Sequence, residues 1–172
     1  MNSVAERVGE VLQVRGELLA TAESCTGGLI AERLTQISGA SAWYVGGWVT
    51  YSNEMKTSQL GVDADCIHIR GAVSWQVAKA MCQGAMKKSG ATTSISTTGI
   101  AGPSGGTEEK PVGTVFIGCA IHESIQIREF RFTGTRSDIR ERTANAAFQM
   151  MCHQLEATTI ESMCCQHGET IL

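Results

Sequence analysis

Thr21-Ala22-Glu23-Ser24-Cys25-Thr26-Gly27-Gly28 is the stretch around which the chain is arranged. Before it, the apolar segment Leu18 to Ala22 reads as a strand. After it, Leu29, Ile30, Leu34 and Ile37 fall on one helix face. The octapeptide therefore sits where a strand turns into a helix. Ser24 and Thr26 are good helix-capping residues, and Gly27-Gly28 allow close approach to the backbone. Free N–H groups at such a turn bind anions and developing oxyanions. A hydroxyl, a thiol and two glycines here suit attack on a carbonyl, and they equally suit an ordinary helix start.

The rest of the chain is consistent with an α/β layered fold, a mixed β-sheet flanked by helices. Val4, Val8, Val11 and Leu12 have helical spacing, ended by Gly16. Tyr44 to Tyr51 reads as a strand bent at Gly46-Gly47, and Ser52-Asn53-Glu54 caps a short helix from Met55 to Leu60. Gly61 to Gly71 reads as a polar connection. Ser74 caps a helix to about Ser89, with Val77, Ala78, Met81 and Ala85 inward. Ala91 to Thr98 reads as a strand. Val112 to Ile121 and Ile125 to Phe132 form a hairpin across His122-Glu123-Ser124. A last helix runs from Arg136 to about Leu155, with Ile139, Ala146, Ala147 and Met150 inward. This assigns residues 1–156 to one domain and 157–172 to a loose polar tail.

At 172 residues the chain can bury a full core. Its net charge of −3 and pI near 5.8 give no footprint for nucleic acid. No apolar run approaches membrane-spanning length, and charges in Met1 to Glu10 argue against a signal segment. Seven cysteines, none spaced C-x-x-C, indicate neither a disulfide framework nor a zinc site. A reduced, cytoplasmic protein is the simplest reading. Cys164-Cys165 with His167 reads as exposed thiols rather than a metal cluster. The sequence leaves a homo-oligomer open.

Several groups have chemical potential. The loop Gly99 to Gly106 follows a strand and holds Gly99, Gly102, Gly105 and Gly106. Such a loop can cradle a phosphate, although it lacks the Gly-Lys-[Ser/Thr] of a P-loop and the spacing of a dinucleotide fingerprint. Lys110 is the nearest charge, suited to an anion or to solvent. Tyr51 and Lys56 would point about 140° apart on a single helix. They converge only if the strand ends near Tyr51 and the chain turns before Lys56, as the cap at Ser52-Asn53 predicts. A lysine near a serine hydroxyl acts as its base when burial keeps the amine neutral. Cys25 is a rival nucleophile, because a helix start lowers a thiol pKa. His68, His122, His153 and His167 are scattered, which leaves a Ser-His-Asp site a weak alternative.

With these stretches in view, the sequence resembles the family of the C-terminal domain of the competence/damage-inducible protein CinA. Standalone members of that family include nicotinamide-nucleotide amidases. The resembling motifs are Thr21 to Gly28, Val49 to Lys56, Gly71 to Ser74, Thr98 to Pro103, Glu109 to Thr114 and Phe132 to Arg140. They run in order along nearly the whole chain to about residue 152. The resemblance implies an α/β fold, a cytoplasmic location, no metal or other cofactor, and the standalone form. It also implies pyridine-nucleotide salvage chemistry: hydrolysis of the carboxamide of nicotinamide mononucleotide, with Ser24, Tyr51 and Lys56 as catalytic residues. Lys56 would take the serine proton directly or through Tyr51. N–H groups near Thr26, Gly27 and Gly28 would hold the oxyanion. The glycine loop, Thr98, and Arg136 or Arg140 would bind ribose and phosphate.

Two departures bear on substrate identity. Gly134-Thr135-Arg136 stands where the family often has Gly-Asp-Arg, and Ser104 stands where it often has Asp or Gly. They motivate an alternative, a paralogue that binds a pyridine nucleotide or related ligand without hydrolysing this one. A short-chain reductase also uses Ser, Tyr and Lys, but it spaces Tyr and Lys four apart and needs an early glycine fingerprint. Neither feature is present here.

Overall fold

The computed structural model describes residues 3–167, and the side-chain surroundings of residues 3–157. The chain builds an open five-stranded sheet with helices on both faces. The strands are β1 (Leu19–Glu23), β2 (Tyr44–Val49), β3 (Thr93–Gly99), β4 (Thr114–Ile121) and β5 (Ser124–Arg131), in spatial order β2-β1-β3-β4-β5. β2, β1 and β3 are parallel, whereas β4 and β5 continue the sheet antiparallel as a hairpin. The mixed sheet expected from the helix–strand alternation is therefore present. The helices are α1 (Val4–Arg15), α2 (Leu29–Thr35), α3 (Asn53–Leu60), α4 (Ala64–Arg70), α5 (Trp75–Ser89) and α6 (Arg136–His167).

Side-chain alternation along β1 divides the core. Leu19 faces the layer of α1, α2 and α6, with Leu12, Ile30, Ile139 and Met151. Ala20 and Ala22 face α3, α4 and α5, with Leu60, Ile67, Val77 and Met81. The hydroxyl-rich β3 is buried because each hydroxyl finds a partner. Ser94 Oγ donates to Cys82 O, Ser96 Oγ to Ala78 O and Thr98 Oγ1 to Ala72 O. Ser94 and Ser96, two apart on the strand, match carbonyls one turn apart on α5 and set the helix against the strand, while Thr98 holds the turn before the helix.

Gly84 of α5 lies against α3. A Cβ there would strike the Leu60 carbonyl oxygen. We expect Gly84→Ala to destabilise the fold by about 1–3 kcal/mol. The melting temperature would then fall by about 2–4 °C per kcal/mol. An unchanged melting temperature would show that α3 moves freely off α5.

Two elements differ from expectation. Gly61 to Gly71 contains α4, capped by the Asp63 carboxylate accepting from Asp65 N–H. Ile67 is its one buried residue, too few for periodicity to reveal the helix. α6 continues past Leu155 to His167, so residues 157–167 are helical rather than loose. Glu156 to His167 contains no Gly or Pro, so nothing stops the helix there. The side chains of Cys164, Cys165 and His167 lie outside the described residues. Among the described residues, no helix is long and apolar enough to cross a membrane.

Candidate active site

Ser24, Tyr51 and Thr98 all lie at the carboxyl ends of the parallel strands. The chain leaves β1 for β2 on one side and crosses to β3 on the other. Ligands of open α/β sheets bind at such a reversal. Ser24 N–H donates to Thr97 O at 3.0 Å and Thr50 N–H to Glu23 O at 2.9 Å, which extends the strand pairing to the edge of the site.

The turn after β1 is held by a residue that the sequence reading did not single out. The Glu23 carboxylate is fully buried and accepts from the N–H groups of Gly28, Ile30 and Ala31 at 2.8–3.1 Å. Glu23, not Ser24 or Thr26, therefore caps α2. Its signal was an acid at the last position of a strand, on the face toward the following helix. With that capping duty removed, the Ser24 hydroxyl is free to face the pocket. Gly27 and Gly28 take positive φ angles of 59° and 94° to close the turn.

Ser52 caps α3 by accepting from Met55 N–H, and this turn delivers Lys56 inward. Its amine is 3.1 Å from Ser24 Oγ, 2.9 Å from Thr50 O and 3.5 Å from Tyr51 O. Lys56 is only 1% exposed, and burial pushes its pKa below the ordinary lysine value. A neutral amine has two N–H groups and one lone pair. The two carbonyls can accept the N–H groups, which leaves the lone pair for the Ser24 hydroxyl. The turn expected at Ser52-Asn53 is present and brings the lysine into direct contact with the serine, whereas of Tyr51 only the main-chain carbonyl meets the amine.

Around this pair lies a pocket of about 180 Å³, lined by Ser24, Tyr51, Asn53, Lys56, Thr98 and Arg136 together with Cys25, Gly99 and small apolar residues. Asn53 is a lining residue that the sequence reading used only as part of a cap. The Arg136 guanidinium donates from Nη1 to Gly102 O at 2.8 Å and from Nη2 to the Tyr51 hydroxyl at 2.6 Å. An open groove of about 650 Å³ adjoins through Asn53 and Ala72. Another groove, of about 610 Å³, lies between α1, α2 and α6, and its Arg33 is already paired with Glu141.

Other expected site residues have different partners. Thr26 Oγ1 is buried against Thr97 Oγ1, and Thr26 O accepts from Arg140 Nε and Nη2. Arg140 therefore braces the Ser24 turn instead of sharing a ligand site with Arg136. Gly27 N–H is taken by Ser24 O and Gly28 N–H by Glu23, which removes both as oxyanion donors. The N–H groups of Cys25 and Thr26 are left without a main-chain acceptor among the described residues. Gly105 and Gly106 are exposed and outside the pocket. A Cβ on Gly106 would lie 2.7 Å from Val112 N, so this glycine serves the loop's close packing rather than a phosphate cradle. Lys110 Nζ donates to Arg70 O and Val73 O, tying down the loop before α5.

The rival nucleophiles lose ground. Burial pushes the Cys25 thiol up to about 12, the reverse of the expected helix-start effect. His68, His122 and His153 are absent from the pocket lining, and His122 pairs with Glu17. Among the described residues, no cluster of three or more His, Cys, Asp or Glu is placed to hold a metal ion.

The CinA C-terminal domain family model matches residues 1–155. A CinA-like protein of Geotalea daltonii is 48% identical over 150 residues, spanning 87% of this chain and 36% of the relative. A putative competence-damage inducible protein of Caldicellulosiruptor saccharolyticus is also 48% identical, over 149 residues, with the same coverage of 87% and 36%. The chain thus spans about a third of the length of these curated relatives. Among solved structures, the competence/damage inducible protein CihA from Agrobacterium tumefaciens superposes with TM-score 0.86 at 41% identity, covering 89% of this chain and 93% of that one. A CinA superfamily protein from Klebsiella pneumoniae gives TM-score 0.87 at 34% identity, covering 90% and 96%.

Proposed function

Because this chain belongs to the CinA C-terminal domain family, we propose that it hydrolyses the carboxamide of nicotinamide mononucleotide to nicotinate mononucleotide and ammonia. The observation that carries the reading is the buried Lys56 amine 3.1 Å from Ser24 Oγ, with its pKa held down by burial. A neutral amine touching a serine hydroxyl is the minimal equipment for acyl transfer.

Lys56 takes the Ser24 proton as Oγ forms a bond to the carboxamide carbon. The ammonium then gives that proton to the amide nitrogen, the C–N bond breaks and ammonia leaves. Water attacks the resulting Ser24 ester, again losing a proton to Lys56. That proton passes to Ser24 Oγ as the ester C–O bond breaks. Such proton transfers contribute about 10²–10⁴ in rate. The N–H groups of Cys25 and Thr26 are the candidates to receive the oxyanion, each donor contributing roughly 3 kcal/mol. The pocket of about 180 Å³ suits the amide-bearing ring, with the ribose and phosphate reaching past Arg136.

Incubation with nicotinamide mononucleotide should release ammonia and nicotinate mononucleotide in equal amounts. No ammonia at high protein concentration sinks this reading. Nucleotide binding by calorimetry without turnover would instead favour the paralogue that only binds. Thr135 motivates that second reading, since it occupies an often acidic position and engages Asp138 at the start of α6.

A further inference from the structure

We infer that Tyr51 positions Arg136 for an anionic substituent of the substrate and does not carry the proton between Ser24 and Lys56. This rests on the acyl-transfer reading above and assigns the phenol a task within it.

The contacts divide Tyr51 into two parts. Its main-chain carbonyl faces the Lys56 amine, at 3.5 Å, whereas its phenol oxygen accepts from Arg136 at 2.6 Å. The amine already reaches Ser24 Oγ, Thr50 O and Tyr51 O, so its three hydrogen-bonding directions are used without the phenol. A relay through Tyr51 would be longer than the direct path. The side chain is also 61% exposed, a setting for meeting substrate at the rim rather than shielding a proton path.

Arg136 supplies the purpose. Its two partners, Gly102 O and the Tyr51 hydroxyl, are both uncharged, and it forms no ion pair among the described residues. Neutral oxygens fix the direction of a guanidinium without cancelling its charge. A carboxylate in their place would compete with an incoming anion. Arginine presents a rigid fork of donors suited to phosphate, but its long side chain has conformational entropy to lose on binding. Two fixed bonds remove much of that loss before substrate arrives, which is preorganisation. The guanidinium stands at the mouth of the pocket that holds Ser24 and Lys56. A substrate with its amide at Ser24 therefore directs its distal anion toward Arg136.

The test compares wild type, Tyr51→Phe, Arg136→Ala and the double variant on nicotinamide mononucleotide and on the riboside lacking the phosphate. Losing one hydrogen bond to a charged group raises KM for the mononucleotide about tenfold in Tyr51→Phe. kcat should fall by less than about threefold, the pH profile of kcat should keep its shape, and the riboside should show no matching penalty. Arg136→Ala should raise KM at least as much, and the double variant should be no worse than Arg136→Ala alone. A fall of about 100-fold in kcat for Tyr51→Phe with KM unchanged would identify a proton carrier and overturn the inference. Equal losses on both substrates would overturn it as well. If wild type hydrolyses neither compound, the amidase reading falls and calorimetry decides the inference. Mononucleotide binding weakened about tenfold in Tyr51→Phe, with riboside binding unaltered, supports it, and equal Kd values for both proteins overturn it.

Discussion

Ser24→Ala should abolish ammonia release, lowering kcat by about 10⁴–10⁶ while the substrate still binds, because removal of a nucleophile leaves only the binding site. The size of the effect follows from the absence of a competent substitute. Cys25 is adjacent, but burial raises its thiol to about 12. At neutral pH only about one thiol in 10⁵ would be ionised. Lys56 also hydrogen-bonds the Ser24 hydroxyl, and Thr50 O and Tyr51 O take its other two directions. Cys25→Ala should therefore keep most of the turnover. The fold should tolerate Ser24→Ala, since the lost side-chain bond is the one to Lys56 and the strand-extending bond from Ser24 N–H to Thr97 O is main chain. Calorimetry on Ser24→Ala with nicotinamide mononucleotide separates the two functions of the pocket. Full activity in Ser24→Ala, or its loss in Cys25→Ala alone, would move the nucleophile to the thiol.

The contrast between Ser24 and its neighbours shows which parts of the site are legible in the sequence. Strand, turn and helix around residues 21–28 follow from local periodicity. So does the Lys56 approach, because Ser52 is a capping residue at the required place. Long-range competition for polar groups is not local. Thr26 has every attribute of a cap, yet its hydroxyl belongs to Thr97, 71 residues away in sequence. Arg136 and Arg140 are one helical turn apart and look equivalent. One reaches Gly102 O and Tyr51, and the other reaches Thr26 O, partners 34, 85 and 114 residues away in sequence. The glycines after β3 suggest a phosphate cradle by composition alone. Gly102 and Gly106 are instead packed against Val112, and Gly99 against Val115. Family resemblance points to three candidate site residues, Ser24, Tyr51 and Lys56, which line one pocket. It could not supply the direction in which the phenol of Tyr51 points.

Lys56→Met should lower kcat by about 10²–10⁴, the usual contribution of a positioned general base. Methionine keeps much of the buried stem and removes only the amine, so the comparison isolates proton transfer from packing. Lys56→Arg should be no more active, because a guanidinium stays protonated and cannot accept the Ser24 proton. The pH dependence carries the sharper signature. Burial lowers the Lys56 pKa, so the ammonium gives up its proton below the ordinary lysine value of about 10.4. Wild-type kcat/KM should rise with pH as that proton is lost and level off before the ordinary value is reached. The residual activity of Lys56→Met should lack this limb. Stability must move in the same sense. Between the folded-state pKa and about 10.4 the unfolded chain binds more protons at this site than the native one, so the stability of wild type gains a rising contribution with pH. Urea unfolding across that window should show the contribution in wild type and its absence in Lys56→Met. A variant that keeps both the rate and the acid limb would place the base elsewhere, and Ser24 would need a different partner to become a nucleophile.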